Sequence, residues 1–311
     1  MSLLLIIVVL LLVFAIGYWW FQQTKPVELP HFTDHQIVLG QGQPCAKPIP
    51  QIIWTYWHSP TLPLVVEQCI AGWRRFNPEY RIEVLNKDNL ADFISPIPAH
   101  LERLNVAKQT DWMRLELLNR YGGIWMDASI ILTQPLDWVG QLQRQQAAEF
   151  VGYYIDGYTQ RKELPVVDSW FLAAPAGSRF IADWLSLFKQ QAIVGDTEDY
   201  IAKLEQSGRL ADVRQGIGDP YYHTVHIAAQ DVLSQHVAGY KLALIRAEDS
   251  AFALHACAKW RRKRLYVRLL WNTQAERPLM IKLRGGERTK LEGYLRRGLF
   301  RRDSIVGRMQ R

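Results

Sequence analysis

The chain has 311 residues, 49% of them hydrophobic, with 12 Trp and a formal net charge of +7; that length buries one substantial core and predicts one main domain. Its three cysteines, Cys45, Cys69 and Cys257, are odd in number and far apart, which excludes a disulfide framework and a cysteine-rich zinc site and fits a reducing compartment. The charge excess belongs to the C-terminus: residues 259–311 hold 17 Lys/Arg against 4 Asp/Glu, while all preceding residues hold 20 against 26.

Leu3 to Phe21 is an uncharged run of 19 residues closing on Tyr18-Trp19-Trp20-Phe21. As a helix it reaches about 28 Å, close to the hydrocarbon thickness of a bilayer. A cleaved signal peptide would carry a basic start and small residues at its end; this run has neither, and its aromatic end suits a membrane interface. Residues 1–21 therefore read as a single-pass transmembrane anchor. Lys25 just beyond it places the body of the protein in the cytoplasm by the positive-inside rule. Residues 22–48 are polar and broken by Pro26, Pro30, Gly40, Gly42, Pro44 and Pro48, which predicts a linker.

Ile49 to Trp57 reads as a strand bounded by proline, Leu64 to Phe76 as a helix and Tyr80 to Leu85 as a second strand, the opening of an α/β layer fold. Residues 106–120 form the next helix, with apolar Met113, Leu117 and Tyr121 at a spacing of four and Gly122-Gly123 as its stop. Ile124-Trp125-Met126 is then a short strand that ends on Asp127-Ala128-Ser129. A carboxylate at a strand end lies where α/β sheets hold ligands. On the preceding helix Asp111 and Arg114 are three apart and share a face. Alone, such a pair is a surface ion pair worth roughly 0–1 kcal/mol, and Asp127 alone is a turn cap. Their combination around a double glycine points to a site.

Farther on, Val166 to Phe180 reads as a strand and a Pro-Gly turn, headed by Asp168, Ser169 and Trp170. Gly218 to His223, GDPYYH, is an aromatic turn whose rings can stack on a ligand or equally serve only for packing. The basic segment 259–311 contains Lys259-Trp260-Arg261-Arg262-Lys263-Arg264, Arg296-Arg297 and Arg301-Arg302. Beside a membrane anchor such clusters are drawn to anionic lipid by about 1 kcal/mol per basic residue; residues beyond Arg301 read as a partly disordered terminus. No nucleic-acid motif accompanies them.

The segments IPQIIWTYW and AKQTDWMRLELLNRYGGIWMDASI resemble the capsular polysaccharide synthesis branch of the glycosyltransferases, the sugar-binding region containing a DXD motif grouped as glycosyltransferase family 32. The resemblance covers Ile49 to roughly Arg179 and is specific over residues 107–129. It implies a GT-A-like fold with a Rossmann-like nucleotide-diphospho-sugar transferase domain, set at residues 49–258, while the charge distribution makes 259–311 a basic membrane-proximal segment. It further implies Trp54 beside the nucleotide base, Asp111 and Arg114 on the donor sugar or phosphate, and Asp127 as the first aspartate of DXD. Tyr121, Gly122, Gly123, Asp168, Ser169 and Trp170 complete the implied nucleotide-sugar site, with Asp127, Asp111 and Arg114 as its catalytic group. Ser129 stands where the motif usually ends in aspartate. The implied cofactor is Mn²⁺ or Mg²⁺, held by Asp127, Ser129 and, from late in the chain, His255; a serine ligand brings no charge and weakens metal dependence.

The function so implied is transfer of a sugar from a UDP- or GDP-linked donor to a capsular or other surface glycan, or a lipid-linked glycan, with retention of configuration at a membrane and without nucleic acid. A membrane-bound glycan-binding or scaffolding protein that keeps the fold but not the chemistry is the alternative. A glycoside hydrolase with paired carboxylates is a third reading, but no Asp/Glu spacing here argues for it.

Overall fold

A computed structural model describes residues 3–272 and 277–310; Met1, Ser2, residues 273–276 and Arg311, assigned above to the anchor and the basic segment, lie outside the described residues. In chain order the elements are α1 (Leu3–Thr24), β1 (Ile37–Leu39), β2 (Ile52–Tyr56), α2 (Leu64–Phe76), β3 (Arg81–Leu85), α3 (Val106–Tyr121), β4 (Gly123–Met126), β5 (Ile130–Leu132), α4 (Asp137–Gln146), β6 (Phe150–Tyr154), β7 (Val167–Ala174) and α5 (Arg179–Phe188). They continue as α6 (Thr197–Gln206), α7 (Leu210–Arg214), α8 (Thr224–His236), β8 (Leu242–Arg246), α9 (Ala253–Cys257), α10 (Arg262–Trp271), β9 (Met280–Lys282), α11 (Gly285–Arg296) and α12 (Ile305–Met309).

Seven strands make one sheet in the order β1-β8-β6-β7-β4-β2-β3, and β5 pairs with β9 apart from it. β2 runs parallel to β3 and β4, and β6 parallel to β8, while β7 lies antiparallel between β4 and β6. This is the α/β architecture that the resemblance implies. Residues alternate between the two faces: Ile53, Ile124, Met126, Tyr153, Phe171 and Ile245 enter one core, and Trp54, Trp125, Phe150, Leu172 and Leu244 the other. Helices cover both faces, so the strands carry near-continuous apolar runs.

β1 falls inside the stretch read as a linker; Ile37 to Leu39 pair antiparallel with β8 and extend the sheet. Three residues between prolines and glycines gave no periodicity to read. The segment after 258 departs further from its expectation. Leu265, Leu269, Met280, Ile281, Leu291, Ile305 and Val306 are buried in the first core with α2 and the sheet, so the exposed basic residues, such as Arg261 to Lys263, Arg296 and Arg297, are the outward face of core elements, while Arg268 is itself buried. The terminus beyond Arg301 forms α12, capped by the Ser304 hydroxyl, and is ordered where partial disorder was expected.

Candidate active site

Because β7 opposes its neighbours, its start lies at the same sheet edge as the ends of β2, β4, β6 and β8. That edge borders a cavity of about 1220 Å³. α3 delivers the first two residues. Its N-terminus is capped by the Asn105 side chain accepting from Lys108 N at 2.9 Å. Its stop at Gly122 has φ of +66°, and a Cβ there would lie 2.4 Å from Ala176 N, so only glycine fits. Between those ends Asp111 and Arg114 are both buried and line the cavity.

Arg114 is the hub. Its Nη1 meets Asp111 Oδ1 at 3.1 Å and donates to the Ser169 carbonyl at 2.8 Å and the Ser169 hydroxyl at 2.7 Å, while Nη2 lies 3.5 Å from Asp127 Oδ1. Its guanidinium also stands 5.2 Å over the Trp125 ring. Burial pushes the Asp111 carboxyl above its ordinary range, and Arg114 only partly offsets this. Asp127 goes the other way. Burial opposes its charge, but Lys282, whose Nζ is 2.9 Å from Oδ2, and then Arg114 hold the carboxyl below the ordinary range. Trp125 Nε1 donates to it at 3.2 Å, and its backbone N–H donates to the Trp170 carbonyl at 3.0 Å, locking β4 to β7.

Asp168 is held by the Ser169 backbone N–H at 2.6 Å, by a short hydrogen bond from Trp170 Nε1, and by His226 Nε2 at 3.1 Å. His226 comes from α8 and its Nδ1 is buried without a partner among the described residues. Asp168, Ser169, Trp170 and His226 all line the cavity.

The structure thus gathers Asp111, Arg114, Asp127, Ser129, Asp168, Ser169 and Trp170 around one space. It does not bring the remaining expected residues there. Trp54 is fully buried, donates from Nε1 to the Gly122 carbonyl at 2.8 Å and is core; it sits too early on β2, and Tyr56, Trp57 and His58 at the strand's end are the residues that reach the cavity. Tyr121, Gly122 and Gly123 lie at the opposite end of β4, where Tyr121 donates to the Phe93 carbonyl at 2.8 Å and the glycines turn the chain. His255 is 1% exposed and paired with the buried Glu287 at 3.0 Å, away from the cavity lining.

The donor set around Asp127 does not suit Mn²⁺ or Mg²⁺. A divalent ion binds carboxylate oxygens directly, yet both Asp127 oxygens already face cationic side chains. The Ser129 hydroxyl is buried and donates to the Leu283 carbonyl at 3.2 Å, and His255 is spent on Glu287. Among the described residues no group of three or more His, Cys, Asp or Glu comes together as an ion site.

Three cations among the cavity residues come from the basic segment. Lys282 ends β9, and Arg284 and Arg288 cap and follow the start of α11. Arg284 is fixed by Glu287 Oε1 at 2.8 Å from Nε, and Arg288 stands 4.7 Å over the Trp57 ring. Their charge is visible in the sequence, but they stand outside the clusters that suggest lipid, and nothing in the spacing ties residue 282 to residue 127. Tyr222 and His223, from the aromatic turn, do reach the cavity, and Tyr222 is 64% exposed.

Residues 33–198 match the family described as capsular polysaccharide synthesis protein. Over 157 residues the chain is 28% identical to the O-glycosyltransferase braB of Annulohypoxylon truncatum, covering 44% of this chain and 37% of that one, little more than a third of its length. Distant solved structures include the PaToxG glycosyltransferase (13% identity, TM-score 0.38, covering 84% of this chain and 88% of that one) and the UDP-bound glycosyltransferase domain of the YGT toxin (9% identity, TM-score 0.41, covering 64% and 80%). The match to the family spans more than half of the chain and includes α3, β4 and the strand-end Asp127: the protein belongs to the capsular polysaccharide synthesis protein family.

Proposed function

We propose that the protein is a glycosyltransferase that moves a sugar from a nucleotide-sugar donor, UDP- or GDP-linked, to a hydroxyl of a surface-glycan or lipid-linked glycan acceptor. The observation that carries this is the buried network in which Arg114 joins Asp111, Ser169 and Asp127 at the open edge of the sheet. A protein gains no stability from opening such a network onto a cavity; a ligand rich in hydroxyls and phosphate oxygens gives it partners. The cavity, about 1220 Å³, exceeds the few hundred to roughly 1000 Å³ of small-ligand pockets, leaving room for a donor and the end of an acceptor. The O-glycosyltransferase relative supports the same reaction class.

In this reading Tyr56, Trp57 and His58 face the nucleotide, Asp111 and Arg114 hold the sugar, and Tyr222 and His223 border the acceptor path. Transfer proceeds with retention, by attack on the face the leaving group departs from, and uses no enzymic nucleophile. Mn²⁺ or Mg²⁺ is the cofactor implied by the resemblance, but the surroundings of Asp127 do not favour it.

A membrane is the second partner. α1 is the one helix among the described residues long and apolar enough to span, and its spanning window is fully exposed. Trp20, near its end, meets Trp271 at the C-terminal end of α10 edge-on at 5.7 Å, so the anchor packs on the helix that opens with the basic residues 262–264, which supports a body lying against anionic lipid on the cytoplasmic side. A binding-only role is favoured by one observation, the Ser129 hydroxyl turned to a backbone carbonyl. Isothermal titration with UDP and GDP, followed by a donor-hydrolysis assay, separates the two. Nucleotide affinity with sugar release supports the transferase, glycan affinity without nucleotide binding supports the scaffold.

A further inference from the structure

Resting on the transferase reading, we infer that Lys282, seated against Asp127 and backed by Arg288 and the N-terminus of α11, neutralises the donor diphosphate in place of a divalent cation. The pairing of β5 with β9 sets Lys282 directly opposite Ile130, the residue after Ser129. The strand neighbouring the incomplete acidic motif therefore supplies a cation where the motif lacks its second anion. Lys282 Nζ lies 2.9 Å from Asp127 Oδ2 and its side chain is 13% exposed, so it is held in place and still borders the cavity.

Its neighbours point the same way. Three residues on, α11 begins at Gly285, which also lines the cavity and where an added Cβ would meet nothing within 4 Å. At the start of this 12-residue helix the Glu287 N–H donates to the Arg284 carbonyl at 2.9 Å and the Arg284 N–H to the Glu287 carboxylate, so the amides of Gly285 and Gly286 are the ones left to carry the helix's partial positive charge. Arg288, one turn in and over the Trp57 ring, is a further cation of the cavity lining, and among the described residues only Asp127 makes an ion pair with Lys282. Glu287 is fully buried and spends its charge on His255, the Arg284 guanidinium and the Arg284 N–H, and makes no ion pair with Lys282 or Arg288 among the described residues.

In the transfer, the bond between the anomeric carbon and the β-phosphate oxygen breaks, and its electron pair stays on that oxygen. The acceptor hydroxyl oxygen forms the new bond to the anomeric carbon, and its proton passes to an oxygen of the released nucleoside diphosphate. Lys282 meets the charge that arrives on the phosphate. A compact, flexible ammonium suits that role, as a point charge with three donors.

The test is isothermal titration of the full chain in detergent with UDP, GDP, ADP and dTDP, each in EDTA and in Mn²⁺, repeated for Lys282→Met and Lys282→Arg. The expected result is one nucleotide that binds the wild type equally in EDTA and Mn²⁺, with affinity about 10- to 100-fold weaker in Lys282→Met and largely kept in Lys282→Arg. Binding by the wild type that vanishes in EDTA and returns with Mn²⁺ overturns the inference while leaving the transferase reading intact; so does a folded Lys282→Met with unchanged affinity. No nucleotide bound under either condition defeats the transferase reading, and this inference with it. The EDTA comparison needs no variant, so it decides the matter even where Lys282→Met does not fold.

Discussion

Asp111 is a carboxylate that the fold makes costly to ionise, yet it stays paired with Arg114 beside the cavity. A residue kept against stability serves something else. Asp111→Asn should therefore leave the melting temperature unchanged or raised while donor turnover falls steeply; equal losses in both would make it a structural residue. Arg114→Lys keeps the charge but loses the fork that reaches Asp111, Ser169 and Asp127 together. Turnover should drop about as far as with Arg114→Ala, and near-normal kcat/KM in the lysine variant would refute the hub. Asp127→Ala should reduce turnover far more than Ser129→Ala, because the Ser129 hydroxyl gives its hydrogen to the Leu283 carbonyl, a bond worth about 1 kcal/mol of stability.

At this scale part of the cavity lining is legible in the sequence. Asp111, Arg114 and Asp127 were readable because a helix face, a double glycine and a strand end are local patterns. Trp54 was misplaced by two residues, since a strand's period tells which face a residue takes but not how near the ligand end it lies. His226 and Lys282 were not readable, because they meet Asp168 and Asp127 only through tertiary packing across 58 and 155 residues.

Among elements, the instructive ones are β9 and α11. Helix α2, strand β3 and helix α3 appear almost where periodicity set them, while β9 has three residues and pairs only with β5, too short for any pattern. The buried Glu287 at the start of α11 organises this corner by accepting from Arg284 and meeting His255. Burial opposes its charge, but those partners hold its carboxyl down to about 2. Its stabilisation, about 3 kcal/mol at neutral pH by linkage, is present above its ordinary range and is lost as pH falls through the folded value. Glu287→Gln should remove a similar amount, seen as a lower urea midpoint at pH 7 and a shallower loss of stability between pH 5 and 2; an unchanged midpoint would contradict the ion-pair account. Truncation after Ala258 should likewise yield no cooperative melt, because it strips Leu265, Leu269, Ile281 and Leu291 from the core. A truncated chain with the full-length melting temperature would make the segment an appendage.

For the whole molecule, charge and hydropathy spoke to location more than to architecture. The apolar α1 is plain from composition, and it meets Trp271 at the end of α10. Charge alone drew a boundary near residue 258 that packing does not draw, because a core element shows its basic residues outward and its leucines inward. The proposed cytoplasmic orientation predicts that protease added to inverted vesicles digests the body, whereas protease added to intact spheroplasts leaves it whole; the reverse pattern would place it outside.

The central claim is sugar transfer from a nucleotide donor at the Asp111–Arg114–Asp127 network. Transferases without acceptor slowly hydrolyse their own donor, so the most direct measurement is mass-spectrometric detection of sugar released from a panel of nucleotide sugars by the wild type and by Asp127→Ala. The account predicts release from one donor by the wild type and loss of that release in the folded variant. Release from no donor, or equal release by both proteins, would contradict it.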